Sequence, residues 1–289
     1  MATIAHWVEG ARPRTLPAAV APVLVGSGAA AFADRFVWWK AVLALLVALS
    51  LQVGVNFAND YSDGIRGTDA ERVGPLRLVG SGLASPGTVK GAAFGCFGVG
   101  AACGLVLAVT TAWWLVLVGA VAIAAAWFYT GGSRPYGYRG LGEVSVFVFF
   151  GLVAVVGTTF VQAQAVTAAS LLGGVGIGAL ACAILVANNL RDIPTDRESG
   201  KRTLAVLLGD ARSRRLYMVL VLTAYVAVVV AALVATPWAL LALVSAPLAF
   251  RALRPVREGA TGVRLVGVLR DSGLTELAYA VGLTAGLLL

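Results

Sequence analysis

The chain reads as an all-α integral membrane protein, and three observations predict it. Hydrophobic residues make up 59% of the 289 and charged residues only 12%, with a mean hydropathy of +0.88, whereas an average soluble domain carries roughly 25% charge. The apolar residues gather into runs approaching the roughly 20 residues a helix needs to cross a bilayer. The basic residues fall almost entirely on one side of those runs.

Nine runs are placed, at 15–33, 38–58, 91–110, 112–130, 143–162, 167–189, 215–235, 237–253 and 272–289. Trp38, Trp39, Trp113, Trp114 and Trp238 stand at run ends, where amphipathic rings favour the membrane interface. Residues 1–15 lack the short apolar core and small-residue cleavage site of a secretory signal, so no removable segment is expected. With the N-terminus in the cytoplasm, every Lys and Arg except Arg35 and Lys40 lies on the cytoplasmic side. That asymmetry predicts both the orientation and the span count.

The formal charge of +8 then reports topology and anionic-lipid contact, and no basic tail or interleaved aromatic patch points to nucleic acid. Cys96, Cys103 and Cys182 lie in apolar runs without a Cys-x-x-Cys pair, which excludes a disulfide framework or zinc site as a reading. The longest polar stretch, roughly 32 residues, is too short for a soluble domain. A single transmembrane domain over 1–289 is expected, and its oligomeric state is left open.

Only 14 acids occur in the chain, yet they cluster. Asn56, Asp60 and Asp63 share a helical face directly after the second run, with Asp69 beyond. After the sixth run, Asn188, Asp192 and Asp196 repeat the Asn-x-x-x-Asp spacing. Both clusters fall at cytoplasmic ends of spans, where acids are retained if they face a cavity or an ion. Hard oxygens at this spacing suit Mg²⁺, which takes one or two carboxylates and completes its shell with water and phosphate oxygens. Arg66, Arg77, Arg191, Lys201 and Arg202 offer countercharge to a diphosphate. Tyr61, Tyr129, Tyr136 and Tyr138 offer ring faces to a developing cation.

The two Asp-rich clusters resemble those of the UbiA superfamily of intramembrane aromatic prenyltransferases. Further segments strengthen the likeness: Ala11 to Pro17, Arg72 to Arg77, Arg134 to Glu143, and Asn188 through Leu204. The resemblance implies nine transmembrane helices around a central cavity, with cytoplasmic helical caps over Mg²⁺ and a polyprenyl diphosphate. It assigns Asn56, Asp60, Asp63, Asp69, Asp192 and Asp196 to the metal–diphosphate unit, with Asn188 alongside. Lys201, Arg134 and, in the same loop, Tyr136 and Tyr138 become diphosphate or acceptor contacts. The detail is most similar to members that prenylate 1,4-dihydroxy-2-naphthoate with loss of diphosphate and CO₂. Asp69 lies six residues after Asp63, not four as in the general pattern, a departure shared with the naphthoate-using members.

Other readings remain open on the residues alone. Another prenyl acceptor, such as 4-hydroxybenzoate or haem, would use the same donor site. A CDP-alcohol phosphotransferase shares Asp60-x-x-Asp63-Gly64 but has Ala-Arg where Gly67-Thr68 stands. A cation or solute transporter would also show an internal repeat with intramembrane acids, although usually nearer mid-membrane. His6, the sole histidine, has no evident role.

Overall fold

The computed structural model describes residues 2–67 and 76–289; Asp69 and Arg72 lie outside them. Helices follow from the apolar runs in order: α1 Ile4–Gly10, α2 Pro17–Phe32, α3 Trp38–Arg66, α4 Pro86–Thr111 and α5 Leu115–Phe128. Then come α6 Gly142–Ala163, α7 Ala168–Glu198, the short α8 Leu204–Leu208, α9 Asp210–Val234, α10 Pro237–Arg257 and α11 Arg264–Leu288. Among the described residues no strand occurs.

Six of these helices are long and apolar enough to cross a membrane, or seven if Ile4–Thr15 and Pro17–Phe32, bent by 49°, form one span. Two of the nine runs are helical but fall short of that measure. Helix α5 has only 14 residues, and α11 carries Asp271 and Glu276 within its buried face. The chain is thus a multi-pass helical membrane protein.

Helices α3 and α7 run to 29 and 31 residues, about 44 and 46 Å at 1.5 Å per residue. A hydrocarbon core is ≈ 30 Å thick, so each helix carries its last turns past it. Those turns hold the acids. Gly67, with φ 71°, ends α3 in the left-handed conformation that a side chain would strain.

Helix α7 is the centre of the bundle: 72% of its apolar window is buried, against 28–33% for the other spans. It achieves this with small residues, since helices in lipid associate by close packing. Gly151, in the π-helical stretch Phe147–Val153 of α6, meets α7 backbone to backbone. A methyl group there would lie 2.6 Å from both the Gly174 carbonyl oxygen and Gly178 Cα. Around α7 the main core gathers α2, α9, α10 and α11 through residues such as Val25, Ile177, Val221, Ala249 and Leu283.

A second cluster joins α3 and α4 through Phe57, Ala93 and Phe97. At the opposite end of α3 from the acids, the buried Lys40 donates to the Thr110 carbonyl at 3.2 Å, Thr111 Oγ1 at 2.8 Å and the Val161 carbonyl at 2.8 Å. Three helices are tied by one ammonium, which uses all its donors.

Gly151→Ala is expected to destabilise the protein by about 1–3 kcal/mol through overpacking. A lowered thermal midpoint of the detergent-purified variant checks it, and an unchanged midpoint would show that the α6–α7 contact yields.

Candidate active site

One polar stripe of α3 builds the first half of the site. Gln52, Asn56, Asp60 and Asp63 are buried on the same face, and between them they engage several parts of the chain. Gln52 donates to Thr15 Oγ1 at 2.9 Å, and Asn56 donates to the Ala11 carbonyl at 2.9 Å and to Thr15 Oγ1 at 3.0 Å. They hold down the turn after α1, where Arg12 adopts φ 55°, an uncommon conformation for a non-glycine residue. The Arg12 guanidinium acts electrostatically on Asp60.

Asp60, 0% exposed, accepts the backbone N–H of Leu78 at 2.7 Å and of Val79 at 3.0 Å, one on each oxygen. Asp63 receives Arg77 at 3.4 Å and Lys201 at 3.3 Å and the hydroxyl of Tyr138. Arg66 does not point at the acids: it donates to the carbonyls of Ser62, Thr130 and Gly132 at 3.2, 2.6 and 2.5 Å. It therefore anchors the 130s segment.

The second half stands on the last turns of α7. Arg191 holds Asp192 through both oxygens, Nε to Oδ1 at 2.6 Å and Nη2 to Oδ2 at 2.8 Å, and also donates to Asn188 Oδ1 at 2.8 Å. Asp196 Oδ2 accepts Thr203 Oγ1 at 3.4 Å, while the Lys201 backbone N–H donates to the Asp196 carbonyl at 2.8 Å. Lys201 therefore links the clusters, its backbone on α7 and its ammonium on α3.

Residues 130–141 pack beside this junction. Gly137 N–H donates to the Tyr129 carbonyl at 3.0 Å, and a methyl at Gly137 would lie 2.6 Å from that oxygen. The Tyr136 hydroxyl donates to the Ala125 carbonyl at 2.7 Å and lies 2.8 Å from Ser145 Oγ; burial pushes this phenol up from its usual pKa, so it stays protonated. The Arg202 N–H donates to the Tyr138 carbonyl at 3.0 Å, and the Tyr138 ring lies 4.7 Å below Lys201 Nζ and 5.5 Å from the Arg66 guanidinium. Arg134 is exposed and takes no part in these contacts. Tyr61 stacks on Trp127 at 6.0 Å under Lys90, within the packing of α3, α4 and α5.

Beneath the acids lies a cavity of about 350 Å³ between α2, α3, α4, α5 and α6. Its polar lining comes from Gln52, Asn56, Asn59, Tyr129, Tyr136, Ser145 and Thr158; the rest is apolar, including Val23, Leu107, Val118, Phe149 and Phe150. Asn59 accepts the Thr130 hydroxyl at 2.7 Å. Asn56, in the wall, stands one helical turn from Asp60.

A further acid sits here. Glu143, 7% exposed, accepts Asn189 Nδ2 at 3.0 Å on Oε1, and its backbone carbonyl accepts the Cys182 thiol at 3.0 Å. From the sequence, Glu143 is named only as the end of the Arg134 to Glu143 segment and is given no role. Its isolation was the available signal: it is the only acid between Glu71 and Asp192.

Among the described residues no three acids converge as a ready-made metal cage. The donor set fits Mg²⁺ nonetheless, since that ion needs only one or two carboxylates when water and phosphate oxygens complete its shell. Asp60, Asp63, Asp192 and Asp196 are buried carboxylates at one end of an apolar chamber.

An apolar chamber under a mixed acidic and basic head has room for an apolar ligand with an ionic end group. Residues 19–259 match the UbiA prenyltransferase family, and the chain belongs to it. It is 59% identical to a 1,4-dihydroxy-2-naphthoate octaprenyltransferase of Mycobacterium tuberculosis, over 99% of this chain and 98% of that protein. With the Escherichia coli protein of the same name the identity is 37%, over 96% and 94%. A solved UbiA homolog from Archaeoglobus fulgidus bound to DMAPP and Mg²⁺ shares the fold with a TM-score of 0.69, at 13% identity, over 97% of this chain and 98% of that one.

Gly137→Val should displace the 130s segment from Tyr129. Faster proteolytic cleavage between α5 and α6 is the expected sign, and wild-type protection would show the contact to be dispensable.

Proposed function

We propose that the chain transfers a polyprenyl group from polyprenyl diphosphate to 1,4-dihydroxy-2-naphthoate, releasing diphosphate and CO₂. It would do so as a nine-span cell-membrane protein with its N-terminus and both acid clusters in the cytoplasm. The observation that carries the donor half is Lys201, which joins Asp63 of α3 to Asp196 of α7 beside an apolar cavity. A diphosphate head and a hydrocarbon tail call for those two surroundings side by side. The acceptor half is supported by the near-full-length likeness to naphthoate prenyltransferases.

Asp60, Asp63, Asp192 and Asp196, with Asn56 and Asn188 beside them, would hold Mg²⁺, which when bound neutralises charge on the departing diphosphate. Asp69 would belong to the same group. In this structure Arg77 and Lys201 pair with Asp63, and Arg191 with Asp192. With Mg²⁺ held by those acids, Arg77, Lys201 and Arg191 would be free to meet phosphate oxygens, arginine bidentately and lysine as a point charge. Tyr136 and Tyr138, held by Ala125 and by Asp63, would stand beside the reacting end. Phe149 and Phe150 line the path of the tail.

The test is release of labelled CO₂ from carboxyl-labelled 1,4-dihydroxy-2-naphthoate by purified protein given a polyprenyl diphosphate. Release that needs both the diphosphate and Mg²⁺ is the expected result; turnover of 4-hydroxybenzoate at the same rate would overturn the choice of acceptor. Asp63→Asn should reduce kcat by about 100-fold or more, the scale of losing one charge-stabilising group. Lys201→Ala should chiefly raise KM for the diphosphate, and an unchanged KM would remove it from the site.

A further inference from the structure

The ring to be prenylated has to be oriented as well as admitted. We propose that Gln52 orients it: Oε1 accepts a hydrogen bond from the 4-hydroxyl of the naphthoate, which makes Gln52 a specificity-determining residue of the acceptor site. This inference rests on the transfer reading above and adds to it the contact that fixes the acceptor.

An open acceptor is the first argument. Gln52 is 7% exposed, and its buried Oε1 has no hydrogen-bond partner among the described residues. A buried acceptor without a partner is destabilising, and a ligand hydroxyl that reaches it removes the penalty. Ser62, Glu143, Glu276 and Thr284 also have buried side-chain oxygens in this condition. None of those four lines the cavity, whereas Gln52 does.

The direction of the amide is the second. Thr15 Oγ1 donates its one proton to the Arg12 carbonyl at 2.9 Å, so towards other side chains it can only accept. It accepts Asn56 Nδ2 at 3.0 Å and Gln52 Nε2 at 2.9 Å, which fills both of its lone pairs. The Gln52 nitrogen therefore faces Thr15, and the oxygen is turned away from it. One turn to either side on α3, Ala48 and Asn56 also line the cavity, so Gln52 stands on the helix face that forms the wall.

Depth is the third. Gln52 precedes Asp60 by eight residues, about 12 Å along α3 at 1.5 Å per residue. Towards the acids the α3 wall carries Asn56 and Asn59; away from them it offers only Ala48, Val47 and Ala44. Gln52 is thus the last polar group on this wall before its apolar part. The diphosphate belongs at the acids, the tail in the apolar part, and the polar edge of the acceptor at the level between.

The chemistry of the acceptor selects the hydroxyl. The 1-hydroxyl of the naphthoate stands beside the carboxylate and bonds to it within the molecule, whereas the 4-hydroxyl has no internal acceptor and is free to donate. An amide oxygen accepts that bond without taking the proton, so Gln52 holds the ring and leaves its protonation unchanged.

The experiment measures binding of 1,4-dihydroxy-2-naphthoate and of 1-hydroxy-2-naphthoate to purified wild type and Gln52→Met, under argon, with Mg²⁺ and the unreactive donor farnesyl thiolodiphosphate. Wild type should bind the dihydroxy acid about 10-fold or more tightly than the monohydroxy acid, the scale of one buried hydrogen bond. Gln52→Met, which keeps the side-chain length without the oxygen, should bind the two acids equally. Structural damage alone would weaken both acids alike and leave their ratio as it is in wild type, so an unchanged ratio in Gln52→Met would overturn the proposal. Equal affinity for the two acids in wild type would overturn it without any variant. A wild type that binds the donor analogue but neither acid would instead overturn the naphthoate reading, and the proposal with it.

Discussion

Everything at the acid-bearing end of the bundle depends on how Asp63 is neutralised. Its carboxylate is buried, and it is met by Arg77 from the segment after α3, Lys201 from the segment after α7, and Tyr138 from the loop between α5 and α6. Removing Arg77 or Lys201 would change the charge balance around this carboxylate in a low-dielectric setting, where unpaired charge is most costly. Three separated stretches of sequence are thereby fixed to one atom pair. Buried ion pairs rarely stabilise a protein more than apolar packing would. Four buried acids and their bases are therefore poorly explained as structural cement, and well explained as a charged site kept neutral between ligands.

The two acid clusters share their spacing but not their surroundings. Asn56 fastens the N-terminal turn through Ala11 and Thr15, whereas Asn188 accepts from Arg191 within its own helix. Asp60 binds backbone N–H groups and Asp192 a guanidinium. Helix α3 lines the cavity along its length, whereas α7 is not in the cavity wall and is buried in the bundle instead. The repeat in sequence thus yields one half that shapes the chamber and one that supports it.

What the sequence made legible was what local physics decides. Apolar runs gave the helices and the acid spacing gave two polar helix ends, because side-chain period and hydropathy need no knowledge of the partner. The helices overran the predicted runs at 58 and 189 as far as Arg66 and Glu198, since a polar helix continues wherever tertiary partners satisfy its side chains. The illegible parts were pairings across distance. Arg66 looked like countercharge for a diphosphate, yet its donors go to the carbonyls of Thr130 and Gly132, which only the folded loop presents. Asn59, Thr15 and Glu143 gave no sign of turning inward, because their partners at Thr130, Asn56 and Asn189 are set by the packing of other helices.

Three buried ionisable residues show how satisfaction separates structure from site. Lys40 spends all three donors on carbonyl and hydroxyl oxygens of α4 and α6; nothing remains to bind, and it closes the end of the bundle away from the acids. Glu276 is open on both oxygens among the described residues, but α11 places it where the cavity does not reach. Glu143 combines the two conditions, one oxygen fixed by Asn189 and one unpartnered, next to a tyrosine in the cavity wall. Fixing one oxygen sets the direction of the other. The same carboxylate with both oxygens bonded would be a clasp, and with neither bonded it would have no defined aim.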